Sequence, residues 1–306
     1  MSKVKESRLY QFFLEILQHF WWYAGVVAVM RVIEGFYPAG PAPSWGDMAF
    51  NFTLAYIAAV IATTIAHAAP LAVLTVDWLG VRDLVLRGWK PQSAAEWVAG
   101  SLVFAFVWDL AQYWFHRLQH TFPSLWFMHA LHHDTEALNA TDALRNTLWH
   151  SLAGGLFIGI PLFIVGAHNL LHVYASYLLF STIGFYNHAN IRWSHGPLTA
   201  VFSGPQLHRL HHGLDRRYYN QNYAAFFPVI DIMFGTYRPP NKDEFPTTGL
   251  VDQPQSRGGP LAICAALLSA RGKWNIPRWW ARPRSAYPNA DVLPVTASPA
   301  LSERHQ

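Results

Sequence analysis

Three short segments of this 306-residue chain carry histidines at spacings that gather imidazoles. His116 and His120 stand in HRLQH, His129, His132 and His133 in HALHH, and His208, His211 and His212 in HRLHH; His188, in YNHAN, is a ninth candidate. Residues three and four apart share one face of an α-helix, so each segment, if helical, presents its rings as a stripe. A single histidine is ordinarily a satisfied core or interface residue, but three such clusters point to a shared task. Neutral imidazole is the commonest protein metal ligand and suits Zn, Cu, Fe and Ni. Nine imidazoles exceed the roughly four to six positions of one ion, so the set implies two ions. There is no HExxH zincin motif and no Glu-x-x-His pair of the ferritin-like kind. The single cysteine, Cys264, excludes an intrachain disulfide framework and a Cys-ligated iron–sulfur or structural zinc site.

The rest of the chain must hold these histidines, and its composition says in what medium. Hydrophobic residues make up 52% and charged residues only 13%, against about a quarter charged in soluble domains. That excludes a disordered or collagen-like chain and leaves too little charge to coat an ordinary soluble surface. A net charge of +4 without a Lys/Arg block gives no nucleic-acid signature; a bilayer is the partner that the composition fits. A bilayer core is about 30 Å thick and needs roughly 20 apolar residues per helix. Phe12 to Val32, Phe50 to Val76 and Ala94 to Phe115 qualify, and Leu148 to Tyr186 is about twice the needed length, with Gly166-Ala167-His168-Asn169 near its middle. It reads as a hairpin of two spans. The expected fold is all-α: an integral-membrane bundle of about four or five spans or embedded helices, under a histidine-rich helical cap.

Residues 1–93 read as N-terminal membrane helices, 94–250 as the catalytic domain, and 251–306 as an interfacial segment with a disordered tail. Lys3, Lys5 and Arg8, followed by a polar-interrupted apolar run and the interfacial Trp21, Trp22 and Tyr23, suggest a retained anchor, not a cleaved signal. The short run Leu261 to Leu268, with Trp279 and Trp280 beyond it, suits an interfacial helix. The second cluster begins nine residues after His120, too soon for another crossing, and the two-span hairpin returns the chain to the same side. All nine histidines can therefore meet at one bilayer face. Counting positive charges puts the N-terminus in the cytoplasm, which after three simple crossings would place the histidines outside.

The motifs together resemble the fatty acid hydroxylase/sterol desaturase superfamily of integral-membrane di-iron oxygenases. The resemblance covers about residues 95–240 and rests on WDLAQYWFHRLQH, FMHALHHDTEALNATDALR, NHANI and PQLHRLHHGLDRRYYNQNYAAFFPVIDIMFGTY. It implies that His116, His120, His129, His132, His133, His188, His208, His211 and His212 hold two iron ions, with zinc as a substituted metal and O2 as co-substrate. It also implies hydroxylation or desaturation of a lipid C–H bond at a cytoplasmic-face site. The chain has no GxGxxG, no CxxC and no haem-binding domain, so electrons come from a separate donor, a ferredoxin or cytochrome with its reductase. Many relatives follow the LR pair with His-Pro and an acid; here Asn146 and Thr147 follow Leu144-Arg145, and His150 arrives later, as an extra ligand or a supporting group.

Ligating histidines usually donate their other ring N–H to a carboxylate or carbonyl. Asp109, two turns before His116 and costly in a span unless paired, is one candidate partner; Asp134, Asn187, Asp215 and Asn222 lie beside other clusters. Arg117 and Arg209, inside their motifs, hold carboxylates or lipid headgroups, or face water. Three other readings compete: a catalytically inactive membrane scaffold, a zinc-dependent membrane hydrolase, and a bis-histidine haem protein using His19, His67, His168 or His172.

Overall fold

The structure, a computed structural model, describes residues 20–68, 92–165 and 170–251. The part of the expected N-terminal anchor before residue 20, His19, His168, and everything assigned to the interfacial segment and tail after residue 251 lie outside the described residues. Among the described residues the chain is helical, with isolated β-bridges at Pro38–Ile191 and Gly213–Thr248 and no strand.

Two helices come first: α1, covering 20–36, and α2, Trp45–Ala68. The longest, α3, runs Ala94–Thr121. Ser93 caps it by accepting the Glu96 N–H at 3.3 Å, while the Glu96 carboxylate turns back to accept the Gln92 N–H at 2.6 Å. Phe122 then leaves helical geometry (φ −103°, ψ 117°) because Pro123 follows it. That break reverses the chain through the short helices α4, Pro123–Trp126, and α5, Ala130–His133. A 3₁₀ turn, Ala140–Leu144, leads into α6, Leu148–Val165. Then come α7, Leu170–His188, α8, Pro205–His211, and α9, Val229–Met233. The long apolar run thus folds as two helices, α6 and α7. Among the described residues one helix, α3, is long and apolar enough to cross a membrane; Trp45–Ile61 and Leu148–Leu162 are shorter apolar stretches.

Small apolar clusters tie these helices to the cap. Val27 of α1 packs with Ala140, Phe185, Ala189 and Ile191. Phe50 and Leu54 of α2 pack on Leu131 of α5. Phe104 of α3 meets Leu162 and Val165 of α6. Polar struts reinforce them: Glu34 of α1, buried, accepts the backbone N–H of Ala140 and of Asn190, both at 2.9 Å. Asn51 of α2 donates to Thr141 and Asp142 and accepts from Arg145. Arg145 itself is completely buried, its Nη2 2.8 Å from Asp134 Oδ1. Such a pair contributes little when intact but costs several kcal/mol when halved, so it fixes the geometry of the α5 loop.

Candidate metal centre

The nine imidazoles converge as two groups. One gathers His116, His120, His129, His133 and His211; the other gathers His132, His188, His208 and His212; within each, the candidate donor nitrogens all lie within 4.8 Å of one another. All nine residues are buried. The partition follows helix geometry. The i,i+4 pairs His116/His120, His129/His133 and His208/His212 each stay in one group, because residues four apart share a helix face. His132, one position before His133, and His211, one position before His212, fall into the opposite groups, about 100° around the helix. The two clusters touch where the His133 and His212 rings stack, centroids 4.3 Å apart.

Hydrogen bonds at the outer ring nitrogens set which nitrogen faces inward. His116 Nδ1–H donates to the Tyr223 carbonyl at 3.0 Å, His211 Nδ1–H to that of Gln221 at 2.8 Å, and His188 Nδ1–H to that of Gly184 at 2.7 Å. With Nδ1 protonated, Nε2 carries a lone pair into the cluster. The Nε2 atoms crowd there: His120–His133 3.1 Å, His133–His129 3.1 Å, His188–His132 3.0 Å and His208–His188 2.9 Å. Two nitrogens bonded at about 2.0–2.1 Å to one ion and at right angles lie about 3 Å apart, so these separations suit neighbouring ligands of a shared cation. Buried Nε2 of His116 and of His211, and both ring nitrogens of His212, have no hydrogen-bond partner. The donor set is all imidazole, which suits iron, zinc, copper or nickel. By these tests the residues fit a pair of transition-metal ions.

Electrostatics prepare the rings for the same task. Burial first, and then the charge a neighbouring imidazolium would present, holds His129, His132, His133, His208, His211 and His212 well below the ordinary histidine pKa. The rings are neutral at physiological pH, the form in which an imidazole can bind a metal with no proton to displace.

The groups expected to support the ligands do so indirectly or lie elsewhere. Asp109 accepts no hydrogen bond from an imidazole. Its carboxylate accepts three backbone N–H groups, from Ala225 (2.8 Å), Phe226 (3.0 Å) and Phe227 (2.6 Å), and so holds the segment whose Tyr223 carbonyl orients His116. Asp134 pairs with Arg145. Asn187 donates to the Ala225 carbonyl. Asn222, at φ 59°, exchanges bonds with both the N–H and the carbonyl of Arg238. Asp215 is exposed, caps the turn after α8 by accepting the Arg217 N–H at 3.0 Å, and pairs with the Arg217 guanidinium at 3.5 Å. Arg117 donates to Tyr113 Oη and to the Phe234 carbonyl, beneath the Trp114 ring. Arg209 donates to the Pro246 carbonyl.

Supports that sequence reading missed are the backbone carbonyls of Gly184, Gln221 and Tyr223, the Asn220 side chain, which bonds to His120, and Gln119, the partner of His150. The Gln119 amide pairs with His150 Nδ1 at 3.0 Å, and the His150 ring stacks on His129 at 5.4 Å. His150 stands behind the five-histidine group as backing and belongs to neither set. Backbone carbonyls carry no residue signature, so no sequence signal marks them. Asp231 was visible: it sits in the closing motif and accepts the N–H of Tyr223 and Ala224.

Buried clusters of five and four imidazoles, two of them at the end of an apolar helix, define a helical protein with a polyhistidine centre of the kind that could hold metal ions. The fatty acid hydroxylase family profile matches residues 101–236, which include all nine histidines. Over this region the chain belongs to the fatty acid hydroxylase/sterol desaturase superfamily. It is 33% identical over 136 residues to alkylglycerol monooxygenase of Homo sapiens, covering 44% of this chain and 29% of that one. It is 30% identical over 217 residues to ornithine lipid hydroxylase OlsE of Rhizobium tropici, covering 71% and 63%. It is 26% identical over 168 residues to methylsterol monooxygenase 1-3 of Arabidopsis thaliana, covering 53% and 54%. The chain thus spans under a third of the alkylglycerol monooxygenase and under two thirds of the ornithine lipid hydroxylase. No solved structure gives a significant match.

Proposed function

We propose that this chain is a membrane-bound, two-iron oxidoreductase that uses O2 to hydroxylate a C–H bond of a lipid, with electrons from a separate donor. The observation that carries it is the division of nine buried imidazoles into two compact sets, one per ion. Support comes from the relatives, whose names describe hydroxylation or monooxygenation of an alkylglycerol, an ornithine lipid and a methylsterol. Hydroxylation is therefore the reading chosen over desaturation. In this reading residues 94–250 form the catalytic domain, α3, α6 and α7 cross or embed in the bilayer with the N-terminal helices, and the histidines face the cytoplasm.

When bound, the iron pair supplies oxidation of an unactivated C–H bond by O2, chemistry that no side chain performs. The chain's own residues do the rest. His116, His120, His129, His133 and His211 hold one ion and His132, His188, His208 and His212 the other. Gly184, Gln221 and Tyr223 carbonyls fix the tautomers of His188, His211 and His116, so that Nε2 is the binding atom. Burial keeps the rings neutral and keeps bulk water from the reacting carbon. The exposed apolar faces of α3 and α6, with Leu102, Val103, Leu156 and Ile160, keep the site in contact with lipid chains.

The test is lipid profiling of host cells under ¹⁸O2, with and without the chain, and with His132→Ala as control. A lipid gaining one labelled oxygen only with the intact chain is expected; unchanged lipids under aerobic growth overturn the reading. The purified chain should show no haem Soret band and should not turn over with NAD(P)H alone.

A further inference from the structure

Two short elements beside the metal centre present large, substantially exposed apolar side chains outward. In the 3₁₀ turn Gly196–Ala200 and the residues after it, Leu198 (59% exposed), Val201 and Phe202 face outward; in α9, Val229, Ile232 and Met233 (63% exposed) do the same. Contiguous apolar exposure of this kind marks a contact surface. The two elements are joined underneath: Phe202 and Phe226 rings lie 5.5 Å apart, and Ser203 N–H donates to the Phe226 carbonyl.

Their position relative to α3 identifies the medium. Phe227 packs on Phe106 (5.8 Å) and Phe234 on Trp114 (4.9 Å), so residues 226–234 lie along the stretch of α3 between those two positions, about 12 Å long. That stretch continues the outward apolar face of the helix, which includes Val98, Leu102 and Val103. Non-helical backbone survives in a lipid zone only if its polar groups are satisfied internally. The N–H groups of 223–227 are: the fully buried Asp109 carboxylate, projecting from α3, takes those of Ala225, Phe226 and Phe227, and Asp231 takes those of Tyr223 and Ala224; in the other element Leu198 N–H donates to the His195 carbonyl, and Val201 and Phe202 N–H to that of Leu198. Trp114 and Arg117, stacked at the end of the stretch, are an aromatic and a cation of the kind that sits where headgroups begin.

We infer that residues 196–202 and 225–234 form a lip embedded in the acyl region of one leaflet, with phospholipid chains as its partner and Asp109 as the positioning residue that permits it. This rests on the membrane-spanning reading of α3. The lip is also coupled to the ligands: Tyr223, two residues before it, orients His116, so the packing of the leaflet bears on the five-histidine group.

The experiment uses the metal-loaded full chain in phosphatidylcholine/phosphatidylglycerol nanodiscs. Cys264 is first replaced by serine, and single spin labels are placed by Leu198→Cys, Met233→Cys, Leu102→Cys and Lys242→Cys. Collision with O2, which concentrates in acyl chains, is compared with collision with a water-soluble nickel chelate. Labels at 198 and 233 should resemble 102, severalfold more accessible to O2 than to nickel, with 242 showing the reverse. Nickel access at 198 or 233 while 102 stays lipid-like overturns the lip but leaves the span intact. Low access to both reagents at 198 and 233 means a protein partner or a second copy covers the face, and also overturns it. Nickel access at 102 as well defeats the spanning reading itself.

Discussion

Asp109 offers the sharpest test of how the apolar helix and the metal centre depend on each other. Oδ2 accepts from Phe226 and Phe227 at 3.0 and 2.6 Å, and Oδ1 accepts from Ala225 at 2.8 Å. In Asp109→Asn the amide oxygen can keep the first two bonds, but its NH2 group then faces the Ala225 N–H, donor against donor. One hydrogen bond to a charged acceptor, worth about 1.5–3 kcal/mol, is lost, the other two weaken towards about 1 kcal/mol each, and removal of a buried charge offsets part of that. A net loss of about 2–3 kcal/mol follows, or roughly 5–10 °C in Tm for a domain of this size. Asp109→Ala strands all three N–H groups and costs about 5 kcal/mol. Because Tyr223 hangs from the same segment, metal in the five-histidine group should fall before metal in the other. The assay is thermal unfolding of the nanodisc-embedded chain followed by tryptophan fluorescence, with metal counted by mass spectrometry. Gln112→Ala, on the same helix, serves as control and should shift stability by no more than about 0.5 kcal/mol. An Asp109→Ala protein that unfolds within about 2 °C of the parent with full metal would refute the reasoning.

The partition of ligands predicts that neighbouring residues serve different ions. His211→Ala and His212→Ala should each lose about one of two bound metal ions, and the double variant both; equal loss of both ions from either single variant contradicts the grouping. Arg145→Met should destabilise by about 3–5 kcal/mol because it leaves the Asp134 carboxylate buried without its guanidinium, and Arg145→Met with Asp134→Asn should cost less than the sum of the singles in a denaturation cycle. For the metal-free protein, folded-state histidine pKa values lie below the unfolded value of about 6.5, so the unfolded chain binds more protons in acid. Stability should hold above about pH 6.5 and fall below it, by up to about 1.4 kcal/mol per pH unit for each buried histidine, and bound metal should shift the fall to lower pH. A flat stability profile between about pH 7 and 5 would contradict burial of neutral rings.

Sequence alone specified the composition of the site and much of its local geometry. The apolar runs marked α3 and the α6–α7 pair, because helix length and hydropathy are local properties. Histidine spacing fixed which rings share a helix face, and the i,i+4 pairs do stay together in one group. It did not fix which face meets which, since that depends on how α3, α5, α7 and α8 pack across long stretches of chain. Only the tertiary structure sent His132 and His133 to opposite groups and set His150 behind His129. Seven-residue spacing suggested that Asp109 would serve His116, and the two do share a helix; folding instead gave the carboxylate to three backbone N–H groups more than a hundred positions away. A carboxylate in an apolar helix binds whatever donors the fold leaves unsatisfied there, and backbone donors are written in no residue type.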